Sequence, residues 1–166
     1  MIGIRPATPD DVPAVLALIR ELAEYEKLTH LLQATEAGIG RELFGERPVA
    51  EALLASAGGE TAGFALFFHN LSTFLGRRGL WLEDLYVHPR FRRSGAGREL
   101  LLAVARIALA RGCGRLEWPA LDWNEPAIRF YREMGADILP DWRICRVTGP
   151  ALDTLGRMAG TSPGKR

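Results

Sequence analysis

The stretch from Leu80 to Gly97 limits what this chain can fold into more than any other. Leu80-Trp81-Leu82-Glu83-Asp84-Leu85-Tyr86-Val87 is rich in aliphatic and aromatic side chains and ends at His88-Pro89, where a ladder must stop, so it predicts a buried strand. A short basic connection follows, Arg90-Phe91-Arg92-Arg93-Ser94-Gly95-Ala96-Gly97, and an apolar-periodic run then begins at Glu99-Leu100-Leu101. The pattern is strand, Gly-rich turn, helix. Such a turn sets unpaired N–H groups and the positive end of the helix dipole at one spot, which favours an anion. Arg92, Arg93 and Arg98 add formal positive charge there, and Gly95 and Gly97 let the backbone approach a phosphate closely.

Three phosphate-binding turns compete for this stretch, and spacing separates them. A dinucleotide turn needs Gly-x-Gly-x-x-Gly/Ala, but Leu100 stands three residues after Gly97. A Walker loop ends in Gly-Lys-Ser/Thr, and the only lysines, Lys27 and Lys165, lie in no such context. What remains is Arg92-x-x-Gly95-x-Gly97, which resembles the turn with which the GNAT N-acetyltransferases bind the pyrophosphate of acetyl-CoA. A Gly-rich turn with solvated arginines has the same short string, so the resemblance has to be carried by further residues. Ile4-Arg5-Pro6-Ala7-Thr8 with Asp10-Asp11 resembles the family's opening strand and helix start, and Leu82 to Pro89 its central strand. Trp123-Asn124-Glu125-Pro126-Ala127-Ile128, with Phe130-Tyr131 and Gly135-Ala136, resembles a third family segment. Within the family, Glu21 to Glu26, Leu82 to Asp84 and Trp123 to Pro126 are similar to the diamine (spermidine/spermine) and thialysine N-acetyltransferase branch. The resemblance runs from Ile4 to Met158.

A length of 166 residues implies one domain, expected over residues 1–158 with a frayed tail at 159–166. A net charge of +1 argues against nucleic acid, whose backbone demands a clear basic excess. Cys113 and Cys145 lack metal or disulfide-framework spacing and read as small buried residues, so no metal is expected. Neither an export segment nor an apolar run near ~18 residues is present, which points to a cytoplasmic protein without a membrane partner.

Along the chain, Ile2 to Arg5 reads as a strand, and Thr8-Pro9-Asp10-Asp11 starts a helix whose apolar positions Val12, Val15, Leu16, Ile19 and Leu22 recur at helical spacing. A second helix is expected from Thr35-Glu36 to Phe44, then a hairpin of Val49–Ala57 and Thr61–Phe68, and a loop over Leu71–Gly79. After the central strand and its helix come a strand at Arg115–Ala120, a helix capped by Asp122 or Asn124, strands at Asp137–Leu139 and Trp142–Val147, and a helix at Ala151–Met158. The order implies an α/β fold, a mixed sheet with helices on both faces. The resemblance implies the acyl-CoA N-acyltransferase fold, in which the sheet splays after the central strand and the pantetheine arm occupies the opening.

Acetyl transfer to an amine requires a proton acceptor, polarisation of the thioester carbonyl and a proton for the leaving thiolate. Glu83 and Asp84 interrupt an apolar strand. Because strand side chains alternate, one of them must face inward or lie at a bulge, and an unpaired buried polar group costs roughly 2–7 kcal/mol. Either they line a cleft or one is paired with an arginine. The resemblance implies that Glu83 accepts the amine proton through water and that Asp84, with Tyr25 and Glu26, holds a cationic acceptor. On residues alone Tyr131 is as well a packing neighbour of Phe130; the resemblance makes its hydroxyl the acid for the thiolate. Asn124, Pro126 and Ala127 with Tyr131 are implied contacts of acetyl-CoA, as are Arg92, Arg93, Ser94, Gly95, Ala96, Gly97 and Arg98. Leu85, Tyr86 and Val87 are implied to supply main-chain contacts, one of them an N–H freed by a bulge. His30, His69 and His88 receive no role.

The resemblance further implies a small-molecule amine as partner and a homodimer, with Trp142 and its strand as the apolar edge. Ser72-Thr73-Phe74 followed by Arg77-Arg78 departs from the Asp-x-Trp of the spermidine/spermine enzymes and looks more like the thialysine branch, so a short diamine or lysine-like amino acid is the expected acceptor. The alternative is an acyl-CoA-binding sensor of the same fold without turnover.

Overall fold

A computed structural model describes residues 1–158, so the expected tail at 159–166 lies outside the described residues. The chain divides into two compact units, Met1–Pro119 and a second starting at Ala120. In the first, strand β1 (Ile2–Pro6) leads into a 3₁₀ turn at Pro9–Asp11 and helix α1 (Val12–Tyr25). The expected single helix starts as this tighter turn because the Asp11 carboxylate is already engaged. It accepts from the Thr8 amide at 2.7 Å and pairs with both terminal nitrogens of Arg5 at 2.6 and 2.7 Å. Helix α2 (Glu36–Phe44) begins at Thr35, whose hydroxyl accepts from the Gly38 amide at 3.1 Å.

Strands β2 (Glu51–Ala57), β3 (Glu60–Ser72) and β4 (Arg77–Val87), helix α3 (Ala96–Ala110) and the short strand β5 (Leu116–Glu117) complete the unit. The sheet order is β1-β2-β3-β4-β5, with antiparallel neighbours up to β4 and a parallel β4–β5 pair joined across α3. Alternation along the strands gives two cores. Ala52, Leu54, Phe64 and Tyr86 pack with Val15 and Leu18 of α1 and Leu43 of α2. The opposite parity, Leu53, Ala55, Ala65 and Phe67 with Leu80 and Leu82, is buried on the face covered by α3, whose Leu100, Leu101 and Val104 are also buried. Each such large side chain contributes roughly 1.5–3 kcal/mol.

Four expectations change. Leu71–Gly79 is a tight hairpin instead of a loop: Ser72 pairs with Arg77, and the buried Ser72 hydroxyl accepts from the Leu75 amide at 3.2 Å. Polar residues such as Asn70 and Arg78 extend a ladder that side-chain patterning does not reveal. The Arg115–Ala120 strand shrinks to Leu116–Glu117, because β5 meets β4 only at Leu80 and Trp81. In the second unit, helices α4 (Glu125–Glu133) and α5 (Pro150–Met158) are present, but residues 137–147 form no strand among the described residues. Their apolar side chains, including Trp142 and Ile144, are exposed. β-propensity describes how a side chain fits a pleated surface and does not supply a ladder partner. For the same reason Cys145 is exposed, while Cys113 is half-buried; neither is the buried residue expected. Among the described residues no helix is long and apolar enough to cross a membrane.

Candidate active site

The site starts from a mismatch between two strands. Leu82 pairs with Phe67 and Asp84 with Leu66, so Glu83 is the extra residue of a β-bulge in β4. The expected bulge at Leu85–Val87 is therefore displaced to Glu83; Leu85 and Val87 stay in register with Ala65 and Gly63. One added residue reverses the parity of everything after it. Leu80 and Leu82 face α3, whereas beyond the bulge Asp84 and Tyr86 share the α1 face with their partners Leu66 and Phe64. An acid follows an apolar strand into the cleft for this reason.

Charge concentrates there. Asp84 is pushed up to about 7 by burial first and then by the carboxylates of Glu83 and Glu26. Burial also raises Glu26, which caps the C-terminal end of α1. Glu83 is exposed, and its Oε2 accepts from the Trp81 indole Nε1 at 2.8 Å. With the carboxylates of Glu83 and Glu26 acting on it, Asp84 sits in a negative setting whose chemistry suits a cationic group.

At the far end of β4 lies the basic turn. Gly95 is in the left-handed region (φ 92) and Arg93 at φ 66, which folds the chain back into α3. The Ala96 amide donates to Ser94 Oγ at 3.3 Å, while the next amides, of Gly97 and Arg98, have no acceptor within the helix by geometry. A Cβ on Gly97 would meet only Val87 Cγ2, at 3.5 Å, so the fold itself tolerates a side chain there. Arg92 departs from the expected pattern. Its guanidinium lies 4.7 Å from the Tyr25 ring and 5.8 Å from the Tyr86 ring, and its Nε donates to the Val87 carbonyl at 3.3 Å. Arg92 thus ties the turn to the end of α1. Between Trp81 and this turn, β5 no longer accompanies β4, which leaves an open edge beside Glu83 to Val87. Orphan amides, a left-handed glycine, two outward cations and an open strand edge fit a pyrophosphate with a pantetheine arm.

Glu21 and His88 were not anticipated as site residues, and Tyr86 was expected only for its main chain. Tyr86 donates to Glu21 Oε2 at 3.3 Å, and burial together with that carboxylate raises the Tyr86 phenol. His88 Nε2 lies 3.9 Å from the same carboxylate. Glu21, Glu24, Tyr25, Tyr86, His88, Pro89 and Arg92 line a cavity of about 450 Å³. The available signal was helical spacing, since Glu21 stands one turn before Tyr25.

In the second unit, α4 carries the remaining predicted residues. The Asn124 side chain accepts from the Ala127 amide at 3.4 Å, so Asn124 does cap the helix, with Pro126 in its first turn. Tyr131 is buried, and its ring lies 5.4 Å from that of Phe130.

A bulged central strand followed by an anion-binding turn and a helix, in a mixed sheet covered on both faces, defines an acyl-CoA N-acyltransferase fold. An integron cassette protein from the mobile metagenome of V. cholerae shares it, with a TM-score of 0.78 at 24% identity over 94% of this chain and 98% of that one. Residues 15–136 match the acetyltransferase (GNAT) family model; the chain belongs to that family and is an N-acetyltransferase. It is 38% identical to the L-ornithine N5-acetyltransferase of Arabidopsis thaliana, covering 93% of this chain and 88% of that protein. It is 39% identical to the thialysine N-epsilon-acetyltransferase of Bos taurus, covering 93% and 96% respectively.

Proposed function

We propose that this protein acetylates the side-chain amine of a small diamino acid, or one amine of a short diamine, by direct transfer from acetyl-CoA within a single domain. The observation that carries this reading is the bulge at Glu83, which turns Asp84 onto the α1 face, where the carboxylates of Glu83 and Glu26 act on it. The relatives named for ornithine and thialysine support the acceptor class. The family match across residues 15–136, which spans the boundary at Pro119, supports the single domain.

Bound acetyl-CoA supplies an acetyl thioester, the activated acyl group. The Gly97 and Arg98 amides with Arg93 and Arg98 would hold its phosphates, and the main chain of Leu85 to Val87 would line its pantetheine arm; the family resemblance assigns Asn124, Pro126 and Ala127 to the same cosubstrate. Asp84 and Glu26 bind the incoming ammonium through charge-assisted hydrogen bonds, each contributing about 1.5–3 kcal/mol. Glu83 takes the amine proton, directly or through one water, and frees the nitrogen lone pair for attack. The Tyr131 hydroxyl would give a proton to the departing sulfur, and the second proton that the nitrogen loses as the amide forms restores it.

The preference for a short acceptor no longer rests on Arg77 and Arg78. They stand five and six positions before Glu83 along β4, a strand length of about 16 Å or more, beyond the Debye length at physiological salt. The buried Ser72 is occupied within its hairpin. What supports a short acceptor is the compactness of the acidic group together with the relatives. Initial-rate competition among lysine, thialysine, ornithine, putrescine, spermidine and spermine tests the assignment. The expected result is a higher kcat/KM for the diamino acids or putrescine than for spermine, and a clear spermine preference overturns it. Exposed Trp142, Ile144 and Val147 support a homodimer in which a second copy covers them.

A further inference from the structure

We propose that Trp81 is a positioning residue that holds the Glu83 carboxylate for proton transfer. This inference rests on the reading of Glu83 as the proton acceptor.

Glu83 is a poorly constrained group in a demanding role. It is the unpaired residue of the bulge, so no cross-strand partner fixes its backbone, and its exposed side chain has rotamer freedom on the order of 1–2 kcal/mol to lose. The charges around it push it away. Asp84 on its own strand and Glu26 at the end of α1 are both acids, and the three share one neighbourhood. From β5, Glu117 stands in register with Trp81, but it is already paired with Arg115 at 2.7 Å and accepts from Asn70 at 3.2 Å. Neither the like charges nor this paired acid gives the Glu83 carboxylate a reason to adopt one orientation.

Trp81 does. Its indole Nε1 donates to Glu83 Oε2 at 2.8 Å, a charge-assisted contact from a group that can donate but not accept. The indole is a firm anchor because Trp81 is paired on both sides, with Phe68 of β3 and Glu117 of β5. Leu80 shares that double pairing but faces α3, so Trp81 is the last doubly held residue before the sheet opens and the one whose ring lies on the acidic face. The indole carries the rigidity of the three-strand region across the slip in register and delivers it to the first residue beyond. With Oε2 held, Oε1 is the oxygen that takes the amine proton.

The test is a double-mutant cycle on the full chain, with acetyl-CoA and lysine as substrates and kcat, KM for acetyl-CoA and the thermal transition read for each variant. The expected result for Trp81→Phe is a kcat about tenfold lower with KM for acetyl-CoA unchanged. In the Glu83→Gln background the same change produces no further loss, because the group it positions is gone. Trp81→His, which keeps a ring N–H, recovers part of kcat. If Trp81→Phe lowers kcat by the same factor in both backgrounds, or not at all in the parent, Trp81 is only a packing residue and the proposal fails. Where Trp81→Phe loses its cooperative thermal transition, Trp81→His decides: a folded variant that lowers kcat by the same factor in the parent and in the Glu83→Gln background overturns the positioning role. Failure of the underlying reading looks different, since Glu83→Gln alone would then leave kcat unchanged.

Discussion

The bulge at Glu83 and the turn at Arg92–Arg98 lie at two ends of one strand segment, yet they are made in opposite ways. The turn is local. Gly95 at φ 92, Ser94 closing on the Ala96 amide and the start of α3 are contained in a few consecutive residues, and what the turn offers an anion is main-chain amides. The bulge is a relation between two strands, β3 and β4, whose registers slip by one residue, and it acts through side chains, Glu83 and Asp84. On the proposed reading, a backbone device would grip the cofactor whatever the neighbouring side chains do, while a register device would decide which side chains meet the acceptor. Damage to the first should appear in cofactor affinity and damage to the second in turnover.

The largest effect is expected at the bulge. Glu83→Gln keeps the length of the side chain and removes its capacity to take a proton, so kcat should fall by about 10³-fold, within the usual span for a general base, with KM for acetyl-CoA unchanged. Tyr131→Phe, which removes the hydroxyl assigned to the leaving thiolate, should lower kcat by about 10²-fold in the same way. Steady-state kinetics on both variants check this, and an equal rise in the acetyl-CoA KM would erase the division between the two devices.

A smaller effect concerns stability. Unfolded, Asp84 ionises near the ordinary value of 3.8; in the fold it keeps its proton to about 7. Because the folded value is raised, the contribution of the protonated acid is complete below about 4 and is lost as pH rises through about 7. Asp84→Asn does not ionise, so it should gain on the parent as pH rises. The gain should be near zero at pH 4 and on the order of 2 kcal/mol at pH 8, after discounting for partial solvent access. Urea unfolding at the two pH values measures it, and a gain independent of pH would mean that Asp84 is not held in its neutral form.

At the turn, two glycines separate conformation from approach. Gly97→Val should raise the KM for acetyl-CoA about tenfold with kcat and Tm nearly unchanged, since its Cβ meets only Val87 Cγ2 within the fold. Gly95→Ala should instead cost about 1 kcal/mol of stability, because an L side chain is strained at φ 92. Calorimetric titration with acetyl-CoA and thermal melts distinguish them. Unchanged affinity in Gly97→Val would break the assignment of the turn.

The same contrast explains what was legible in the chain before folding. Strand, glycine turn and helix around Leu80–Leu101 were readable because proline, glycine and apolar periodicity are instructions written within a few residues, and so was a helix cap at Asp122 or Asn124, of which Asn124 is the one used. The sequence by itself also determined that two acids would interrupt the central strand and that one of them could not follow its alternation. Only the tertiary structure decided that Glu83 is the unpaired residue, two positions before the expected bulge, because register is a property of β3 and β4 together and neither strand contains it alone. Tertiary structure likewise turned Arg92 back onto Tyr25 and joined Trp81 to Glu83. It also withheld a ladder from residues 137–147 despite their strand-forming side chains. Composition can favour a conformation, but a contact between distant residues exists only once the backbone has brought both ends of it to the same place.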